Sequence, residues 1–176
     1  MRPACLARHR LLQWRPAAGR TTFTASGEPS GLAEHDLQRV RNVMASALAD
    51  STTKTYGAGL LAFHAFCDER RLSEAQRAPA SADVMQAFLA SLAGMYAGTT
   101  LTNYFYGVRA WHLIHGLSWD MNEAATQTMF RAIERLAPAS SRRKKRAPVT
   151  EEVISKIRQR LDTGQAMHAA VFACLT

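Results

Sequence analysis

Catalytic signatures are what this sequence lacks first. It holds no GxSxG elbow, no P-loop, no HExxH pair and no glycine fingerprint for a dinucleotide, which removes the common hydrolase, phosphoryl-transfer and redox motifs. Cysteine is scarce. Cys5, Cys67 and Cys174 lie too far apart for CxxC zinc spacing or a disulfide framework, which points to a reducing, intracellular compartment. No apolar run approaches the roughly 20 residues that a bilayer span needs, so the chain is expected to be soluble, with no membrane partner. The six histidines, His9, His35, His64, His112, His115 and His168, show no metal-ligand spacing. His112 and His115 stand three apart on one helix without a third ligand, and neither metal nor cofactor is expected. Tyr104 and Tyr106 have no recognisable activating base beside them, so Tyr104 is read as core and Tyr106 as surface.

Positive charge is in excess. The net +8 comes from 22 lysines and arginines against 14 acidic residues. Ten of those cations occupy two short stretches, Arg2, Arg8, Arg10, Arg15 and Arg20 and then Arg142, Arg143, Lys144, Lys145 and Arg146, leaving 12 to face the 14 acids. The body is near neutral, and polyanions are the partners to consider.

No acidic side chain precedes Glu28. Residues 1–27 therefore have the arginine-rich composition of a mitochondrial transit peptide, and also the Pro, Gly, Ser and Thr content of disorder; a disordered basic tail over residues 1–31 is the expected state. From residue 32 onward the chain reads as helices. Leu32, Leu37, Val40, Val43, Met44, Ala47 and Leu48 recur at near-helical spacing. Ser51 or Thr52 can cap a helix carrying Tyr56, Leu60, Phe63 and Cys67 on one side. Ser81 opens another with Val84, Met85, Phe88, Leu89 and Leu92. Thr99 or Thr100 opens a third, with Leu101, Tyr104, Val108 and Trp111 inward and a stop at Gly116. A fourth runs from about Asp120 to Leu136 with Met129, Phe130, Ile133 and Leu136 inward. Short connections predict an all-α bundle of four to five helices over residues 32–137. Residues 138–149 read as a basic linker. Residues 150–176 read as the truncated start of a second domain, with Thr150 as cap, Val153, Ile154, Ile157 and Leu161 as a buried stripe, and an apolar stretch from Ala166 to Leu175.

Three stretches carry binding chemistry. Thr52, Thr53 and Lys54 crowd hydroxyls and a cation at a helix N-terminus, suited either to capping or to a phosphate. Thr99, Thr102, Asn103, Tyr106 and Arg109 form the polar face of the third helix; Asn and Arg are base-edge readers, and the same set could be a solvated face. Arg142, Arg143, Lys144, Lys145 and Arg146 form a linker, a nuclear localisation signal or a strap along a phosphate backbone.

The passages STTKTYGAGLLAFHAFC, TLTNYFYGVRAWHLIHG and RAPVTEEVISKIRQRL, in that order, make residues 45–176 resemble the amino-terminal half of the tyrosine recombinases, or phage integrases. The resemblance implies a core-binding domain that clamps double-stranded DNA with the start of a catalytic domain behind it, and a role in DNA integration and recombination, as in mobile elements. It implies DNA contacts from the residues of all three stretches. The family's nucleophilic tyrosine, its arginines, lysine and histidine have no counterpart in this chain, so the expectation is a DNA-binding fragment and not an enzyme. The resemblance implies a nuclear location in a eukaryote or a nucleoid one in a prokaryote, with the mitochondrion as the alternative that the N-terminus raises. The competing reading is a helical protein-interaction module that self-associates through its apolar C-terminal helix.

Overall fold

The computed structural model describes residues 2–23, 26–141 and 148–174. The basic run Arg142–Arg146, Leu175 and Thr176 lie outside them. The described residues form nine α-helices: α1 (Arg10–Gln13), α2 (Glu34–Ala45), α3 (Asp50–Glu69), α4 (Glu74–Arg77), α5 (Ala82–Leu92), α6 (Gly98–His115), α7 (Glu123–Leu136), α8 (Glu151–Arg160) and α9 (Ala166–Ala173). Among those residues there is no strand, and the all-α expectation holds.

Helix starts follow from local chemistry. Ser81 Oγ accepts from Val84 N at the head of α5, and Asn122 Oδ1 accepts from Ala125 N at the head of α7. Each such cap contributes about 1 kcal/mol. Asn122, and not Asp120, thus begins the fourth helix of the bundle. At α3 the expectation of a Ser51 or Thr52 cap fails. The N-cap is Ala49, with no side-chain hydrogen bond, and the Asp50 carboxylate occupies the first turn, where the helix dipole favours it. α6 stops where Gly116 turns left-handed at φ 73°, so that Leu117 N reaches His112 O at 2.9 Å.

α3 and α6 run antiparallel and form the centre of the first unit. A Cβ on Gly59 would stand 2.5 Å from Tyr104 Cα, and one on Gly107 would stand 2.6 Å from Tyr56 O. Glycine is required here by backbone approach. Around this pair, Phe63, Phe88, Leu101, Phe105, Val108 and Ile133 close one buried cluster. Tyr104, expected in the core, is only half-buried, because the α3 backbone lies directly against its Cα. Phe105 is buried in its stead, meeting Phe130 and Trp119 edge-on at 5.1 and 5.2 Å. Leu136, expected inward, is 60% exposed at the end of α7.

α2 also departs from the periodic reading. Leu37 is buried, but Leu32, Val40 and Val43 are exposed, and the second buried position is Arg41. Its charge is tolerated inside because Nη2 donates to Glu34 Oε1 at 2.6 Å and to Gln38 Oε1 at 3.0 Å.

The largest correction concerns the N-terminal segment, expected as a disordered tail over residues 1–31, because its stretch from Arg2 to Arg20 is packed on the bundle. Leu11 and Trp14 are buried in a second cluster with Leu60, Trp111 and Ile114. Trp111 Nε1 donates to Trp14 O at 2.6 Å, His115 Nε2 to Leu11 O at 2.9 Å, and Trp14 Nε1 to Pro3 O at 2.8 Å. Gly57 makes the approach feasible, since a Cβ there would collide with the Ala7 carbonyl. Two large apolar side chains with satisfied backbone partners outweigh the entropy that favours disorder.

Contacts divide the chain into units Met1–Arg142 and Arg143–Thr176. In the second, Thr150 stands at the N-cap position of α8 without a side-chain hydrogen bond. The stripe Val153, Ile154, Ile157 and Leu161 is not fully buried anywhere, and Val153 is 41% exposed. Two short helices offer too little surface to cover it. The Arg158 guanidinium lies over the Phe172 ring at 5.5 Å.

Candidate nucleic-acid interface

The polar face of α6 is assembled as its spacing dictates. Leu101, Phe105, Val108, Trp111, His112 and His115 are buried, and at about 100° per residue Arg109, Thr102, Tyr106, Thr99 and Asn103 share the remaining arc of about 120°, bounded beyond Asn103 by buried Ile114 and Gly107. Thr99, Asn103 and Arg109 are exposed, and Thr102 and Tyr106 are half-buried. Tyr106 is fixed by its ring contacts with Phe105 and Phe130, at 5.6 and 5.9 Å. Tyr106 and Arg109 form a ridge between two open grooves. One, of about 210 Å³, is lined by Met44, Leu48, Tyr56 and Leu113; the other, of about 330 Å³, by Trp119, Met121, Glu123 and Gln127. No hydrogen bond or ion pair engages Arg109 or Asn103 among the described residues.

The opening of α3 is arranged differently from what its composition suggests. Lys54 lies about 200° around the helix from Thr52 and faces away from the core side that carries Thr52, Thr53 and Tyr56. Its Nζ pairs with Asp50 Oδ2 at 2.9 Å, and Thr53 Oγ1 donates to Asp50 O at 2.8 Å. The hydrogen-bonded Lys54 ammonium holds the Asp50 carboxyl below its ordinary pKa. The N-terminus expected to meet a phosphate therefore already carries an anion of its own. Because α3 and α6 are antiparallel, this end of α3 stands at the Arg109 end of α6. Thr99 is about 15 Å away along the axis, ten residues at 1.5 Å each. The third stretch, Arg142 to Arg146, falls outside the described residues.

The N-terminal arginines are tied into the bundle. Arg2 pairs with Asp68 at 3.3 Å and Glu74 at 3.1 Å, Arg10 Nη1 donates to Gly57 O at 3.0 Å, and Arg15 reaches Glu34 and Gln38 at 3.2 and 2.8 Å. Arg20 Nη2 approaches Leu113 O and Met44 Sδ, both at 3.4 Å. Composition alone does not reveal these partners, which lie up to 93 residues away.

Other reactive groups are quiet. Burial pushes the Cys67 thiol up to about 11, away from the thiolate. No group of three metal-ligating side chains occurs among the described residues, and no described helix is long and apolar enough to cross a membrane.

Comparison with known protein families, curated proteins and solved structures found no match to this chain.

Proposed function

We propose that the first unit is a duplex-DNA-binding module that presents the outer face of α6 to the major groove, in the manner of a recombinase core-binding domain, and that the chain binds without cutting. The observation that carries this reading is the exposed, unpaired Arg109 and Asn103 at the two edges of the polar arc of α6, about 120° apart, with Thr102, Tyr106 and Thr99 between them. Arginine is suited to bidentate contact with guanine O6 and N7, and asparagine to adenine N6 and N7. Six residues separate the two, about 9 Å along α6, which is close to three base-pair steps. Threonine and tyrosine hydroxyls suit backbone oxygens. Arg142 to Arg146 supply the sequence-independent attraction, and the same reading implies the nucleus in a eukaryote or the nucleoid in a prokaryote.

Fluorescence anisotropy with a duplex of about 30 base pairs, titrated over salt, tests it. Binding should weaken linearly in log salt, and neutralising Arg142 to Arg146 should lower the slope by up to about 0.9 for each phosphate that is no longer neutralised. Arg109→Ala and Asn103→Ala should each cost about 1–3 kcal/mol on a preferred site and relax its sequence. Supercoiled plasmid incubated with the chain should stay supercoiled. If both sets of variants bind as wild type does, the α6 reading is wrong.

The second reading, a helical interaction module, draws on Met167 at 77% and Val171 at 47% exposure on α9. Sedimentation would then show a stable oligomer indifferent to DNA.

A further inference from the structure

Where the N-terminal segment meets α2 and the end of α6, a small cavity of about 90 Å³ is lined by Arg15, Arg20, Arg41, Thr21, Glu34 and His115. Three arginines line it against one glutamate. Arg41 is the unusual member. Its side chain is only 4% exposed, and Nη2 alone is used, on Glu34 and Gln38. Nε is buried with no partner, and Nη1 makes no hydrogen bond among the described residues. A buried guanidinium N–H without an acceptor costs free energy that native structures normally recover from a side chain, a water or an ion. Arg20 adds to this. Its side chain lies across Gly116, where a Cβ would stand 2.5 Å from Arg20 Cγ, and its Nε and Nη1 make no hydrogen bond among the described residues.

Three arginines lining one small cavity, with spare donors on Arg41 and Arg20 and an excess of positive charge, match a tetrahedral oxyanion. We propose that this cavity is a phosphate site, held by Arg41 and Arg20 with Arg15 adding charge, and sized for one phosphate group and not for a nucleoside. Glu34 tunes it. Its carboxylate takes Arg41 Nη2 at 2.6 Å and Arg15 Nη1 at 3.2 Å, leaves Arg41 Nε and Nη1 to the anion, and opposes that anion by its own negative charge. The site is separate from the outer face of α6 and does not depend on that face binding DNA. Its occupant is either a free phosphate or phosphate ester, or a backbone phosphate of a nucleic acid.

Isothermal titration of the full chain with inorganic phosphate, at constant ionic strength set by sodium chloride, tests the site. Saturable binding of one phosphate per chain is expected. Arg20→Gln should weaken it by about tenfold, the loss of one charge-assisted hydrogen bond. Glu34→Gln should strengthen it, because the opposing negative charge is gone. Arg41→Gln should abolish it; if that variant does not fold, Arg20→Gln and Glu34→Gln decide. Absence of saturable binding in wild type, or wild-type binding in both of those variants, overturns the proposal and leaves the Arg41 donors to water. A competition arm identifies the source. Phosphate that displaces a duplex of about 30 base pairs more than chloride does at equal ionic strength marks a nucleic-acid backbone site. Phosphate that saturates without touching duplex affinity marks a site for the free anion or a small ester.

Discussion

Three histidines sit in the interior of the first unit, each held in a particular tautomer. His112 Nδ1 donates to Val108 O at 2.8 Å while Nε2 accepts from Ala80 N at 2.9 Å. His115 donates through Nε2 to Leu11 O, and His64 Nδ1 accepts from Arg2 Nη1 at 2.7 Å. Burial holds all three neutral, pushing His64 down to about 3 and His112 and His115 to about 4 from an ordinary 6.5. The unfolded chain therefore binds more protons than the folded one at mildly acid pH. The associated stability is fully present above about 6.5 and is lost as pH falls from there toward 4. Urea unfolding at pH 7.5 and pH 5 should show a lower midpoint at pH 5, and His112→Gln, which cannot be protonated, should show a smaller drop. An equal drop in both proteins would exclude His112 from the effect.

At the scale of elements, the contact between α3 and α6 sets two rules against each other. Helix propensity says that Gly107→Ala should stabilise by about 1 kcal/mol. Backbone packing says the opposite, since the new methyl meets Tyr56 O and Cα at 2.6 and 2.9 Å, and overpacking costs about 1–3 kcal/mol. The second effect is larger, and a lower urea midpoint for Gly107→Ala is expected; a higher one would mean that the helices move apart freely. Such crossings also mark what a sequence conceals. The bundle helices α3, α5, α6 and α7 are legible because their apolar positions recur with helical period, and Ser81 and Gly116 mark the start of α5 and the end of α6; the Asn122 cap and the start of α3 are not. The polar face of α6 is legible for the same reason. Phe105 in place of Tyr104, and Arg41 in place of Val40 and Val43, are not, because those choices depend on which neighbour lies against the helix. The Arg15, Arg20 and Arg41 cavity is hidden too, since its members come from segments that periodicity treats separately.

For the molecule as a whole, the first residues are structural. If they formed a tail, Trp14→Ala would change stability by no more than about 0.5 kcal/mol. Buried beside Trp111 at 6% exposure, Trp14 should instead cost about 3–5 kcal/mol on truncation, a large share of the roughly 5–15 kcal/mol that a domain has in total. Urea denaturation reads the difference directly, and limited proteolysis should cut the variant near its N-terminus first. Removal of residues 1–27 would strip Leu11 and Trp14 from the core. The hydrogen bond from Trp111 to Trp14 O also spans 97 residues, and this matters during synthesis. Ribosomes add about 5–20 residues per second, so the stretch that emerges first waits on the order of ten seconds for the helix that receives it. During that interval the apolar surfaces of Leu11 and Trp14 are exposed together with a cluster of arginines, next to ribosomal RNA. A nascent chain halted before Trp111 has nowhere to put Trp14.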